Sequence, residues 1–235
     1  MANIRHFLLV MALLITTWVY AQQQLQDSIN YRQLKEISRM LEKGKPAANT
    51  WWYGWFWGYT AATVVQSGIA ITSKNLGTRQ DMYLGAGTTF LGAAGQLLTP
   101  MTAGKAPGKI SNLSELTPSE REDKLFVAEE LFRQSAEREK EGRSWKTHAI
   151  CSVVNLGSGV ITWIGFKRSI WAGLGNFALN TAISEAQIWS MPTRALRDYK
   201  YYIKSNKELK PLSHLNKLKW YVSAFPGGAS VHLDF

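Results

Sequence analysis

The stretch that decides the fold covers residues 145–192 and reads WKTHAICSVVNLGSGVITWIGFKRSIWAGLGNFALNTAISEAQIWSMP. No Asp, Glu, Lys or Arg occurs over 147–166, and Glu185 is the single acidic or basic residue over 169–193. The pair Lys167-Arg168 separates the two runs. Because a membrane-spanning helix needs about 20 mostly apolar residues, this pattern predicts two spanning helices joined by a tight turn.

An earlier region has the same pattern. It opens at 51–59 with WWYGWFWGY, where rings that carry a polar N–H or O–H suit a bilayer–water interface. A polar turn over 74–81 precedes a second uncharged run, 82–104. The sequence therefore predicts one membrane hairpin over 47–104 and another over 146–193. The alternatives are a glycine-rich helical core in a water-soluble protein and, for the aromatic stretch, a binding cage.

The two hairpins also resemble each other in sequence, and short stretches match in the same order along both. The matching pairs are 63–66 with 152–155, 84–87 with 172–175, and 96–100 with 187–190. This order predicts an internal duplication, with both copies entering the membrane from the same side and related by an axis along the membrane normal.

Small and polar residues recur along one stripe of each predicted span at 100° per residue. These stripes contain most of the candidate functional residues, which are Gln96, His148, Asn155, Asn176, Asn180 and Gln187. We interpret the stripes as packing seams, where small residues allow close helix approach and amides hydrogen-bond across. A pathway for a substrate or an ion is the alternative.

Glu185 is the remaining candidate, and it lies off the stripe of its own helix. A carboxylate inside a membrane is costly and often functional. It lies about two turns before Arg194, near the predicted membrane edge, and His148 enters its span at a similar depth on the same side. The sequence therefore allows a Glu185–His148 pair, either as a structural feature that reaches water or as an acid–base site.

The N-terminal residues 1–21 resemble a secretory signal peptide. Arg5 and His6 precede an apolar run over 7–18, and Val19-Tyr20-Ala21 fits a cleavage site. An uncleaved anchor helix is the alternative. The next residues, 22–46, have apolar positions on one face and predict an amphipathic helix, which Gly44, Lys45 and Pro46 are expected to end.

Residues 105–145 lie between the hairpins and predict a soluble, charged helical insert. Thr117-Pro118-Ser119-Glu120 has the spacing of a capping box with proline at the first helical position. The helix is expected to run to about Glu141, and its mixed charges predict either a cover for the bundle or a surface for a protein partner at 117–141.

The tail, 194–235, contains eight Lys or Arg and three Asp or Glu. A basic helix is predicted over 194–210, followed by a short β-hairpin whose last strand alternates apolar and polar residues after a turn at 225–228. An exported N-terminus places the basic turns of both hairpins in the cytoplasm. The same topology puts the basic tail outside, where it contacts an anionic surface, unless the helices lie in another membrane.

Composition and motifs exclude several classes of function. The single cysteine, Cys151, excludes an intramolecular disulfide. No phosphate loop, dinucleotide fingerprint, metal-spaced histidine pair or nucleophile elbow occurs, so no catalytic residue, cofactor or metal is predicted. The net charge is +10, but nucleic acid is not an expected partner because an exported protein would seldom meet it.

These observations predict a mainly all-α protein: a membrane bundle of two repeated helical hairpins with an amphipathic helical insert and a short C-terminal β-hairpin. The expected location is the bacterial cell envelope, integral to the inner membrane rather than the outer, with membrane lipids as partners. We expect a non-enzymatic scaffold or subunit of a larger assembly. The alternatives are a small transporter or pore and a membrane enzyme acting on lipid or glycolipid.

Overall fold

The computed structural model describes residues 2–206, 219–225 and 228–234 and shows a mainly helical protein. The helices are α1 (Ala2–Thr72), α2 (Leu76–Leu98), α3 (Thr102–Ser111), α4 (Pro118–Gly142), α5 (Trp145–Val160), α6 (Ile170–Ser190) and α7 (Arg194–Ser205). A π-helical turn, Ile161–Gly165, continues α5. The chain divides into two units, Met1–Tyr199 and Lys200–Phe235.

In the second unit, strand β1 (Lys219–Phe225) pairs antiparallel with β2 (Gly228–Asp234), and Val222 lies opposite Val231. Parts of the predicted tail lie outside the described residues. These are positions 207–210 of the basic helix, Pro226 and Gly227 of the turn, and the terminal Phe235.

Helix α1 is the main difference from the sequence prediction. It is a single helix of 71 residues that passes through Pro46, so the expected end at Gly44-Lys45-Pro46 is wrong. Proline removes one backbone hydrogen bond, the one to the carbonyl of Glu42. Pro46 and Glu42 are exposed, so water can solvate that carbonyl, whereas Leu41 and Ala48 are buried on the opposite face. Packing of that face therefore outweighs the loss of one bond.

Two other boundaries differ from the prediction. The turn expected over 74–81 is shorter, because the Asn75 side chain accepts a hydrogen bond from the Thr78 N–H and starts α2 at Leu76. Helix α3 was not predicted. Ala103, Ala106 and Ile110 are buried in it, and its glycine and proline residues conceal the helical period.

The insert begins as predicted. Thr117 caps α4, its side chain accepts from the Glu120 N–H, and the Glu120 carboxylate accepts from the Thr117 N–H. Helices α3 and α4 pack against the middle of α1, and Ile37, Ile110 and Phe132 are among the buried residues there. The capping-box prediction is confirmed, and the insert covers α1.

Helices α1 and α2 form one antiparallel hairpin, and α5 and α6 form the other. The predicted turn at Lys167-Arg168 is confirmed, with Lys167 in the left-handed region at φ 54°. Among the described residues, Trp145–Gly165 is the one helix that length and composition allow to cross a membrane. Glycine, threonine and glutamine lower the mean hydropathy of the other three predicted spans.

Glycine sets the spacing of the second hairpin. A Cβ on Gly159 would lie 2.8 Å from the carbonyl oxygen of Gly173, and one on Gly173 would lie 2.7 Å from that of Gly159. These contacts are with backbone, which has little freedom to move. We therefore expect Gly159→Ala to lower the free energy of unfolding by roughly 1 to 3 kcal/mol, measured by intrinsic tryptophan fluorescence.

Gly157→Ala, on the same helix, is the matched control, because a Cβ there meets no atom within 4 Å. We expect it to leave the stability unchanged or raise it by up to about 1 kcal/mol, because alanine has the higher helix propensity. Equal effects of the two substitutions would show that the close approach of α5 and α6 does not contribute to stability.

A buried carboxyl joins α4 to the start of α7. Glu139 is 1% exposed, and its Oε2 accepts the Leu196 N–H at 2.8 Å. Burial raises the pKa of Glu139 from its ordinary 4.5 to about 7, although hydrogen bonds from the backbone of Leu196 and Ala195 favour the ionised form. The folded state therefore holds the proton more tightly than the unfolded chain does.

This pKa determines how stability depends on pH. As the pH rises from about 4.5 through about 7, the folded state must bury a charge, so the free energy of unfolding falls. Glu139→Gln removes this titration. Between about pH 4.5 and pH 8 we expect wild type to lose roughly 1 to 3 kcal/mol of unfolding free energy that the variant retains, measured by chemical denaturation at each pH. Parallel pH profiles would contradict this prediction.

Candidate functional site

The two hairpins are joined at their turn ends by Arg168. Its Nη1 lies 2.9 Å from Oδ2 of Asp81, and its Nη2 donates to the carbonyl oxygen of Gly77 at 2.6 Å. Both groups lie in the first turns of α2. One arginine from the second hairpin thus holds the start of the first hairpin's outgoing helix.

At the opposite end, the hairpins are joined by indole N–H groups from α1. Trp51 Nε1 donates to the Gln187 carbonyl oxygen of α6 at 3.1 Å. Trp52 Nε1 donates to the Gln96 carbonyl oxygen of α2, within the first hairpin, at 2.9 Å. Trp55 Nε1 donates to Ser190 Oγ at 3.1 Å. The sequence predicted interfacial positions for these aromatics and did not indicate their hydrogen-bond partners.

Within the first hairpin, hydroxyl and amide groups meet along the predicted seam. Thr63 Oγ1 lies 2.8 Å from Thr89 Oγ1, which also donates to Gln66 Oε1 at 3.2 Å. Gly85 and Gly92 leave room for neighbouring side chains of α1, since a Cβ on either would come within 2.9 Å of them. The predicted stripe of α2 therefore faces α1.

Within the second hairpin, three predicted amides meet across the seam. Asn155 Nδ2 donates to Ser184 Oγ at 3.2 Å, while Asn180 Nδ2 donates to Ser158 Oγ at 3.2 Å and to Asn176 Oδ1 at 2.9 Å. Ser158 in turn donates to Asn176 at 2.6 Å. The sequence prediction did not include Ser158. It is three residues from Asn155 and therefore shares its face, which is the signal that could have identified it.

A cavity of about 390 Å³ lies between the two hairpins beneath the tryptophans. Helices α1, α2, α4, α5 and α6 all contribute to its lining. Four of the candidate residues line it: Gln96, Asn155, Asn180 and Gln187. Pockets of this size, mostly apolar with a few polar groups, are typical of small-molecule sites.

The polar side chains that the hairpin helices contribute to the cavity lining carry no charge. Tyr59 Oη donates to Gln187 Oε1 at 2.8 Å. Gln96 is 2% exposed, and its Nε2 has no hydrogen-bond partner among the described residues. A buried donor without a partner is costly.

The remaining candidates, Glu185 and His148, meet outside the cavity lining. His148 Nδ1 lies 2.8 Å from Glu185 Oε1, so the predicted pair forms. Trp189 Nε1 donates to Glu185 Oε2 at 2.9 Å, and its ring packs under the Arg143 guanidinium, whose Cζ is 5.7 Å from the ring centroid. All of these groups are at least partly exposed.

The described residues offer few reactive groups. Within 2–206, 219–225 and 228–234, no group of three or more His, Cys, Asp or Glu could hold a metal ion. Cys151 lines the cavity as a free thiol.

Comparison of the chain with protein-family models, with curated proteins and with solved structures finds no match.

The seam of the second hairpin provides a test of its contribution to stability. Asn155→Leu removes the amide that donates to Ser184 and replaces it with an apolar side chain of similar size. We expect the free energy of unfolding to fall by about 0.5 to 1.5 kcal/mol, the typical net contribution of one intramolecular hydrogen bond. Val153→Leu, on the exposed face of the same helix, is the control; equal effects would contradict a stabilising seam.

Proposed function

We propose that this chain is an integral membrane protein of the bacterial cell envelope, with a non-enzymatic role as a scaffold or subunit of a larger assembly. The observation that carries this proposal is that the hairpins expose apolar side chains and bury polar ones, the reverse of a water-soluble protein. Val153 is 70% exposed and Leu179 64%, whereas Asn155 is 5% exposed. Water would penalise so much exposed apolar surface, whereas a bilayer solvates it and favours hydrogen bonds between helices.

The positions of exposed tryptophans support two spans in the second hairpin. Trp171 lies in the first turn of α6 and Trp189 in the last, and both are exposed. They are 18 positions apart, which corresponds to about 27 Å of helix, close to the roughly 30 Å of a bilayer's hydrocarbon core. Trp145 marks the same level as Trp189 at the start of α5. Two belts at this separation are typical of membrane interfaces.

The distribution of basic residues supports an inner-membrane orientation. Lys74, Arg79, Lys167 and Arg168 all lie at or near the turn ends of the two hairpins, which we place in the cytoplasm by the positive-inside rule. In this topology α3 and α4 lie on the exported side. The signal peptide over 1–21, the duplication of the hairpins and the C-terminal β-hairpin belong to the same proposal.

The outer face of α4 is the proposed contact with a protein partner. Glu122, Gln134 and Lys140 are exposed there, while Leu125 and Phe132 are buried on the inner face. Because the inner face covers α1, the outer face of segment 117–141 is the part free to bind. Deleting the insert would expose Ile37 and Leu41, so substitutions on the outer face are the better test.

The first experiment is fractionation of the tagged full-length protein on a density gradient after an alkaline carbonate wash. We expect the protein to be retained in the inner-membrane fraction, because bilayer-spanning helices resist this wash. Release into the wash would overturn the membrane proposal. Retention in the outer membrane would overturn the orientation while keeping the membrane placement.

A second experiment tests whether the chain belongs to a larger assembly. Wild-type protein in a mild detergent is expected to migrate on a native gel well above the mass of one chain. Glu122→Arg combined with Gln134→Arg should shift it to lower mass, whereas Lys74→Glu at the turn end should not. Migration of the wild type as a single chain would overturn the scaffold or subunit role.

A small transporter is the second candidate function, and the cavity between the hairpins favours it. Amides from both hairpins, Gln96 and Asn180 among them, converge on that cavity, as expected for a site at the interface of two repeats.

A further inference from the structure

The cavity between the hairpins is elongated and differs in chemistry between its ends. Along α2 its lining extends from Thr88 to Thr99, a distance of about 16 Å. Near Thr88 the polar lining is neutral and includes Asn180. Near Thr99 the lining includes Arg138 from α4. One end therefore carries a cation and the other does not.

Arg138 is a cation whose side chain, within the described part of the chain, donates to a backbone carbonyl instead of pairing with a carboxylate. Its Nε and Nη2 donate to the carbonyl oxygen of Thr99 at 3.3 and 3.0 Å. No carboxylate of the described residues lies within ion-pair distance of it. Burial lowers the pKa of its guanidinium, and the charge of Glu141 offsets part of that effect. A partly buried guanidinium without a carboxylate partner binds carboxylates and phosphates strongly.

Gln96 adds a second, independent indication at the same end. It lies one helical turn before Thr99, and its buried Nε2 donor has no partner. A ligand oxygen placed near Arg138 could accept from this amide as well. The two groups together would hold an acidic head group that offers more than one acceptor.

The apolar part of the lining is open to the side. Leu91 of α2 and Ile150 of α5 both line the cavity and are 56% and 66% exposed. In the proposed membrane position these side chains contact lipid tails. A hydrocarbon chain could therefore enter between α2 and α5 without crossing water.

We propose that this cavity binds a single-chain anionic amphiphile, with its acidic head group at Arg138 and Gln96 and its hydrocarbon chain between the two hairpins. The inference rests on the membrane placement proposed above. A free fatty acid and a lysophospholipid share this chemistry, and the experiment distinguishes them.

The binding test uses full-length protein in detergent and cis-parinaric acid, whose fluorescence is sensitised by nearby tryptophans such as Trp51 in the cavity lining. Saturable binding near one molecule per chain is expected. Arg138→Gln should weaken it by about tenfold to 100-fold, and Arg138→Lys by less, because the charge remains. Lys140→Gln, an exposed cation on the same helix, should leave the affinity unchanged.

A steric test does not depend on charge. Gly95 lines the cavity, Gly87 lies on the same helix outside the lining, and a Cβ on either meets no atom within 4 Å. Gly95→Leu should abolish saturable binding by occupying the cavity, whereas Gly87→Leu should not. Both variants are expected to fold, since neither new side chain begins with a clash.

Cys151 supplies a readout without a fluorescent probe, because it is the chain's single cysteine and lines the cavity. Bound amphiphile should slow its alkylation by N-ethylmaleimide. Protection by oleate alone assigns the ligand as a free acid, and protection by lysophosphatidylglycerol alone assigns it as a lysolipid. The uncharged oleyl alcohol should protect at least tenfold less well than either.

Two results would overturn the inference. One is parinaric acid binding that Gly95→Leu and Arg138→Gln leave unchanged, and the other is equal protection of Cys151 by oleyl alcohol and oleate. Either result leaves the membrane proposal intact if the protein still resists the carbonate wash. Release in that wash would overturn the membrane proposal separately.

Discussion

The arrangement of the hairpins depends on two backbone carbonyl groups at helix ends. The carbonyl of Gln96 would normally accept from residue 100, but Pro100 has no N–H, and the Met191 N–H donates to Ile188 instead of Gln187. The Gln96 and Gln187 carbonyls therefore lack their usual backbone donors four residues on, although Ser190 Oγ also donates to Gln187 at 3.0 Å. Trp52 and Trp51 of α1 donate to them, so adjacent residues of one helix satisfy the ends of two others.

This interaction explains why the hairpins lie apart and enclose a cavity. Indole rings are long, and the groups that join α1 to α6 are the side chains of Trp51, Trp55 and Tyr59 rather than small residues. Within each hairpin, glycine and threonine allow close approach. The chain therefore uses small residues inside each hairpin and aromatic residues between them, and the difference in side-chain length opens the space lined by Gln96 and Asn180.

Much of the fold could be predicted because several of its features depend only on residues close together in the sequence. The capping box at Thr117, the turn at Lys167 and the stripes containing Asn155 on α5 and Asn180 on α6 depend on neighbouring residues or on helical period. The end expected at Pro46 was wrong because burial of Ala48 and Trp51, which depends on distant helices, decides whether a helix continues. Helix α3 was missed for the same reason: Ala106 and Ile110 are helical because they pack on α1 and α4.

The candidate site was predictable only in part. Spacing placed the amides on one face of each helix and placed Glu185 near His148. It could not reveal the partners of the tryptophans or the position of Arg138 beside Thr99, because those contacts join residues 39 or more positions apart. The depth and shape of the cavity follow from such long-range contacts, which local sequence spacing does not specify.

The continuity of α1 through Pro46 has a consequence for how the chain can vary. Leu41 and Trp51 face different neighbours, and an unbroken helix fixes the angle between them at 100° for each intervening residue. An insertion or deletion of one residue between them would turn every downstream side chain by that angle, and the indoles would lose their carbonyl partners. Four residues would nearly restore the phase but would shift the tryptophans by about 6 Å along the axis. The number of residues between Leu41, in the part of α1 that the insert covers, and the tryptophans is therefore constrained as tightly as the identities of the tryptophans.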